Sequence, residues 1–398
     1  MPEARITWRR LLDEVRPAFK QIAESFEFKH GVLVEKPGLW ISVDEFISPY
    51  LVANLAEVSA IYFELTDQDA FKAFAEGCLR SLERCAVRLH GVLSWAVPFP
   101  WSGMEGWLWA QSYLAARILH DDAYMALLGD VIRSWPWSES RQVFAQQVAS
   151  WDGQEVAGNH AFNLQVAAAA PAWMVGEALK DDVLLSRGRG CIENVFVKSQ
   201  LDAGNWPYDL ERTCRTEPED FYTLVTIWQA SRLLQSEYWA KNEAFTSAVR
   251  RGMEYVRSHC MRADGALVCK THWGPGYIWG AEGRASYVYW MLHKYLGDET
   301  AAEYALRAAN WLLACKPPGG YPFIGVTYGI GVHIDEVLRH LCQLAHQGFD
   351  ATGSVPSPEE HIASLEEIAG QPSVVQPYGS MKTVCQAIIG RLQQEAQS

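Results

Sequence analysis

Long apolar runs are missing from this chain. No stretch approaches the roughly 18 residues that a membrane-crossing helix needs. The opening residues, MPEARITWRRLLDEVRPAFK, mix charge with apolar side chains in a helical pattern and contain no continuous leader-like segment. Paired cysteine motifs are missing as well: the nine cysteines include no CxxC, and Cys78 and Cys85 share one face of a predicted helix as core residues. Reduced thiols and a cytoplasmic location are therefore expected, with a mature secreted form as the alternative. HExxH spacing, a phosphate-loop lysine motif and G-x-S-x-G are all absent, so neither a metal nor another cofactor is expected, and a serine hydrolase has no support. Positive charge is in short supply: the net charge of −13 argues against nucleic acid and anionic membranes as partners, leaving a small molecule or an oligosaccharide.

What the chain does contain is helical periodicity, with few convincing strands. Short polar turns recur at 65–69, 120–122, 180–182, 235–237 and 297–299, with a weaker sixth near 346. Their Asp, Ser and Thr residues suit helix N-caps. The spacing of about 50–60 residues matches two helices and their connections. Between these turns lie longer connections rich in Trp, Tyr, Gly and Pro, at 95–106, 135–159, 202–218, 264–284 and 315–333. Antiparallel helices place every short turn at one end and every long loop at the other. The expected fold is all-α, an (α/α)6 toroid over residues 1–350 whose long loops rim one mouth. Residues 351–398 read as linker followed by a helix from about 381 that packs on the toroid.

The loop DAGNWPYDLERTCRTEPEDFY at 202–222 stands at the centre of this pattern, dense in ionisable and aromatic groups where Gly204 and Pro207 break the helix. One rim loop earlier, GNHAFNLQ at 158–165 enters an apolar helix, placing Asn159, His160 and Gln165 on a helix N-terminal turn with free backbone N–H groups. Seventeen tryptophans crowd the predicted rim, and as a set they suit sugar rings or other flat apolar ligands, although any single one is more often packing. A further loop, KTHWGPGYIWG at 270–280, and residues 319–333 complete the rim. The substrate-binding candidates are Trp101, Trp107, Gln165, Trp206, Tyr208, Arg215, His272, Trp273, Tyr277, Trp279, Arg284 and His333.

The pair GNHAFNLQVAAAAPAWMVGEAL and DAGNWPYDLERT resembles the core of the alginate lyase family of polysaccharide lyases, over about residues 150–235. That resemblance implies an (α/α) toroid and a catalytic set of Asn159, His160, Arg212 and Tyr222, the last preceded by Phe221 where the family has His. Such a set suits removal of a proton α to a carboxylate. Asn159 and Arg212 share the developing charge, His160 or Tyr222 takes the proton, and Tyr222 protonates the leaving oxygen. Between Arg212 and Tyr222 the chain carries about three extra residues, and the stretch TCRTEPEDF brings Glu217, Glu219 and Asp220, with Arg215 better spaced than Arg212 to pair with Tyr222. Carboxylates there repel a uronate, so β-elimination on a uronate-containing oligosaccharide stands beside elimination, isomerisation or cyclisation of a related small metabolite. Two alternatives stay open: a six-hairpin hydrolase such as an unsaturated glucuronyl hydrolase, pairing Asp209 or Glu211 with Glu105, Asp152 or Glu282, and a non-catalytic aromatic-cleft binder.

Overall fold

The computed structural model describes residues 3–35, 49–89, 91–95, 102–145, 161–210, 220–271, 274–277, 280–316, 326–327, 330–331, 333–370 and 381–397. In chain order the first helices are α1 (Trp8–Ser25), α2 (Pro49–Thr66), α3 (Asp69–Cys85), α4 (Ser102–Leu119) and α5 (Asp122–Ser134). Next come α6 (Phe162–Leu179), α7 (Asp182–Cys191), α8 (Asp220–Ser231), the short α9 (Glu237–Lys241) and α10 (Glu243–His259). The last five are α11 (Ala281–Leu296), α12 (Glu299–Ala314), α13 (His333–His346), α14 (Pro358–Ala369) and α15 (Met381–Gln397). A π-helical stretch, Ile192–Val197, continues α7, and a 3₁₀ turn, Arg232–Gln235, continues α8.

The helices form two concentric rings. Helices α2, α4, α6, α8, α11 and α13 touch in succession, and α13 returns to α2, which closes the inner ring. Outside them α3, α5, α7, α10 and α12 each pack on the inner helix they follow. This is the expected (α/α)6 toroid. Its sixth pair is discontinuous, because α13 takes α1 from the other end of the chain as its outer partner. Strand β1 (Glu3–Thr7) fastens that closure by pairing antiparallel with the strand at Asp350–Ser354. Close approach within the ring needs small residues: a Cβ at Gly106 of α4 would lie 2.6 Å from the Ala167 carbonyl carbon of α6.

Three of the five tight turns behave as their sequence suggests, while Gln68 and Ser236 make no side-chain cap bond and Asn242, outside those turns, does. Asp121 accepts from the Tyr124 N–H, Asp181 from Val183 and Leu184, Asn242 from Phe245, and Asp298 from Ala301, so each caps the outer helix that follows. Strands differ from expectation. Short antiparallel hairpins lead from outer helices to the next inner ones: β2 (Phe26–Lys29) with β3 (Val32–Glu35), β4 (Val87–Leu89) with β5 (Val92–Ser94), and β6 (Trp137–Ser138) with β7 (Val143–Phe144). Two more follow, β8 (Val268–Thr271) with β9 (Gly274–Tyr277) and β10 (Val326–Thr327) with β11 (Ile330–Gly331), before β12 (Asp350–Ser354). At two to five residues each, these strands are too short to show alternation in the sequence.

The C-terminal part also departs from the sequence reading. Where a linker was expected, β12 and α14 stand, the helix started by a capping box in which Ser357 and Glu360 bond each other's backbone. Helices α14 and α15 share a second core, in which Leu365, Ile368, Cys385, Ile388 and Leu392 pack against Trp311 and Cys315 of the toroid's outer face. Arg262 and Glu367 bridge the same junction.

Candidate functional site

The two segments singled out in the sequence meet. Ala161, next to His160 in the chain, forms an antiparallel bridge with Asp209, and the Phe162 N–H donates to the Tyr208 carbonyl at 3.0 Å. That contact lays the loop at 202–210 along the start of α6. Tyr208 then meets Tyr222, from the first turn of α8, edge to face at 5.1 Å. The Arg284 guanidinium of α11 lies 5.0 Å from the Phe221 ring, which adjoins Tyr222. So Tyr208, Tyr222 and Arg284 gather at the N-terminal ends of α6, α8 and α11. Asn159, His160, Arg212, Arg215, Trp101, His272, Trp273 and Trp279 lie outside the described residues. Tyr277 and His333 are described only as backbone, in β9 and at the start of α13.

Several rim residues turn out to hold the wall together. Trp206 is only 2% exposed, stacks on Phe196 at 4.7 Å and donates its indole N–H to the Phe196 carbonyl at 2.7 Å. Gln165 is fully buried and clamps Phe144 of β7 from both sides, accepting from its N–H and donating to its carbonyl, each at 2.9 Å. Both were expected to bind substrate; their polar atoms are instead spent on backbone. Trp95 and Trp135 likewise donate to the Leu82 and Ala145 carbonyls. Trp107 is half-buried beside Tyr50, its ring 5.9 Å away.

The Gln165 clamp has counterparts. Glu105, in the first turn of α4, accepts from the Ser94 hydroxyl of β5 at 2.7 Å, and Glu282, in the first turn of α11, accepts from the Leu267 N–H beside β8 at 3.0 Å. Three inner helices therefore grip the hairpin before them with a buried carboxylate or amide. Burial pushes the Glu105 carboxyl up from 4.5 to about 7, partly offset by the bonds it receives. Glu105 and Glu282 were the described partners proposed for Asp209 in the hydrolase reading, and both are committed to the rim. Asp220, one of the carboxylates expected to repel a uronate, is buried and accepts from Tyr255 of the outer helix α10 at 2.7 Å.

Below the mouth lies a cluster of which sequence reasoning singled out only Arg284. The Trp228 ring of α8 is surrounded by the guanidiniums of Arg232 at 4.8 Å, Arg339 at 4.8 Å and Arg284 at 5.6 Å. His340 meets the same ring edge to face at 5.0 Å, packed where Gly283 leaves no Cβ in its way. Glu57 of α2 lies 3.7 Å from Arg232 and 3.9 Å from Arg339, and Asn54 accepts from Arg339 at 2.6 Å. Gln343 donates its amide N–H to Glu57 at 2.8 Å, which turns its oxygen towards His340 Nδ1 at 3.4 Å. This chain assigns the proton to Nδ1, and Nε2 has no hydrogen-bond partner among the described residues. Burial lowers the His340 pKa well below its usual value, and the guanidiniums of Arg284, Arg339 and Arg232 lower it further, so the imidazole is neutral. A signal for this cluster existed: an inner helix has neighbours on every side, so its charged residues must face other protein groups or a cavity.

Among the described residues no group of three or more His, Cys, Asp or Glu side chains is gathered to hold a metal ion, and no helix is long and apolar enough to cross a membrane. No protein-family model matches the chain, and no curated protein matches its sequence. Solved structures match its fold. A cellobiose 2-epimerase from Bacillus thermoamylovorans B4167 superposes with a TM-score of 0.65 at 11% identity, over 85% of this chain and 98% of its own. A D-mannose isomerase gives 0.67 at 10%, over 85% and 97%. An unsaturated glucuronyl hydrolase specific for heparin gives 0.64 at 10%, over 85% and 96%.

Proposed function

We propose that this protein is a carbohydrate-processing enzyme that moves a proton at the carbon next to a sugar carbonyl or carboxylate. The observation that carries this reading is the meeting of Tyr208, Tyr222 and the Arg284 guanidinium at the N-terminal ends of α6, α8 and α11. A C–H of this kind becomes acidic only if the oxygen of the resulting enolate is stabilised. Fixed positive charge in a site closed to water is the strongest way to do so. Tyr222 carries the proton, and Arg284, whose guanidinium lies beside Phe221 at the mouth, stabilises the oxyanion. Return of the proton to the opposite face of the same carbon gives an epimer, and its return to the former carbonyl carbon gives an isomer. The fold likeness to an epimerase and an isomerase accords with those outcomes.

A second reading shares the first step. If a leaving group sits β to the carbanion, the same intermediate expels it, Tyr222 protonates the departing oxygen, and the product is an alkene. The bridge between Ala161 and Asp209, which joins the two segments that resemble the alginate lyase core, favours this β-elimination. Hydrolysis has less behind it, because Glu105 and Glu282 are tied to rim hairpins.

The test is proton exchange in heavy water with aldoses and uronate oligosaccharides, followed by NMR and ultraviolet absorbance. Deuterium at the α-carbon, reduced by about a hundredfold or more in Tyr222→Phe, is the expected result. A new conjugated-alkene absorbance selects elimination. New reducing ends without deuterium would remove the proton-transfer reading altogether.

A further inference from the structure

The toroid axis opens a second time, at the end opposite Tyr208 and Tyr222. A cavity of about 90 Å³ is lined from all six positions of the inner ring, by Glu57, Arg117, Glu177, Arg232, Tyr287 and Gln343. Arg117 and Glu177 stand in the last turns of α4 and α6, and Arg232 in the turn that continues α8, so this floor lies on the side of the tight turns. One water needs roughly 10–15 Å³ of such space, so the cavity has room for several waters or one small ligand.

Arg232 is the group that asks for a ligand. Its side chain is 5% exposed, and neither Nε nor Nη2 has a hydrogen-bond partner among the described residues. The carboxylate that faces it, Glu57, stands 3.7 Å away, already accepts from Gln343 and also faces Arg339. Burial lowers the Arg232 pKa, which Glu57 only partly offsets, so the cation is incompletely compensated where it stands. The carbonyl ends of the inner helices bring some negative potential to this floor. Part of it is already met, since Lys294 Nζ donates to the Gln347 carbonyl at 2.9 Å. Glu177 accepts from the Ser236 hydroxyl at 2.6 Å. A guanidinium with free donors pairs best with an oxyanion that takes two parallel hydrogen bonds.

We propose that the floor cavity binds a small oxyanion, a phosphate or a carboxylate, on the Arg232 guanidinium. The cavity shares Arg232, Glu57 and Gln343 with the axial cluster below the mouth, and binding read without turnover keeps its failure distinct from that of the proposed reaction. The experiment is calorimetric titration of the full chain with inorganic phosphate and, separately, with lactate, against sodium chloride at matched ionic strength. One saturable site is expected for at least one of the two oxyanions, and which one binds identifies the source. Arg232→Lys, which loses the two-pronged fork, weakens binding by about tenfold or more. Met174→Trp, which fills the cavity from its wall, removes binding and guards against an Arg232 variant that fails to fold. Heats no larger than those of chloride mean that the cavity holds only water, and the proposal falls. Undiminished affinity in both variants places the anion elsewhere and overturns it equally.

Discussion

The inner and outer rings are built from helices of similar length yet carry different information. On the outer helix α10 the buried residues, Phe245, Ala248, Val249, Gly252, Met253 and Val256 among them, recur every three or four positions, and Arg250, Arg251 and Glu254 lie outside that stripe. On the inner helix α11 every residue from 281 to 292 is buried, including Glu282, Arg284, Ser286 and Tyr287. An outer helix thus announces its orientation through its period. An inner helix cannot, because it has no solvent face, and its polar residues are either clamps such as Glu282 or members of the axial cluster. Charge in the outer ring is mostly solvated and cheap; charge in the inner ring is costly unless it is paired or used.

Three substitutions sharpen that contrast. Trp228→Ala, at the centre of the inner ring, removes a ring that is 1% exposed and faces three guanidiniums and His340, and is expected to cost about 3–5 kcal/mol of stability, read by chemical denaturation. A loss below the level of an ordinary surface change would mean that the axial cluster is not packed as described. Glu105→Gln probes an inner-ring clamp. With its carboxyl raised from 4.5 to about 7, the folded state holds this proton more tightly than the unfolded chain. Its contribution is therefore full below 4.5 and lost as pH rises through 7, on the order of 3 kcal/mol across the window. The wild type should lose that much more stability than Glu105→Gln between pH 4.5 and 8; parallel pH profiles would contradict the buried, protonated carboxyl. Asp298→Ala removes an outer-helix cap whose carboxylate accepts from the Ala301 N–H, and should cost only about 1 kcal/mol in thermal or chemical melts. An effect as large as that of Trp228→Ala would erase the distinction between the rings.

The same contrast explains what could be read in advance. Asp121, Asp181 and Asp298 mark tight turns because capping is local, a matter of one side chain and the next three N–H groups. Ser357 and Glu360 carried a comparable local signal for α14, hidden by the prolines around them. Trp206 and Gln165 were assigned to ligand because rim loops concentrate aromatic and amide groups. Whether such a group faces a ligand or a neighbouring carbonyl depends on a partner 10 or 21 residues away. Of the axial cluster only Arg284 was legible, since Asn54 and Arg339 are 285 positions apart and meet only because α13 returns to α2.

By itself, then, the order of residues determined the helices, their caps and the alternation of short turns with long loops, and through these the double ring. All of this follows from contacts within a few residues. Closure of the ring decided the rest. It made α1 the partner of α13, turned Gln165 and Trp206 into wall and brought one carboxylate, three guanidiniums and an imidazole from α2, α8 and its extension, α11 and α13 onto one axis. Hydrophobic burial does not specify which polar groups meet, and only the register of six helices around a common axis does.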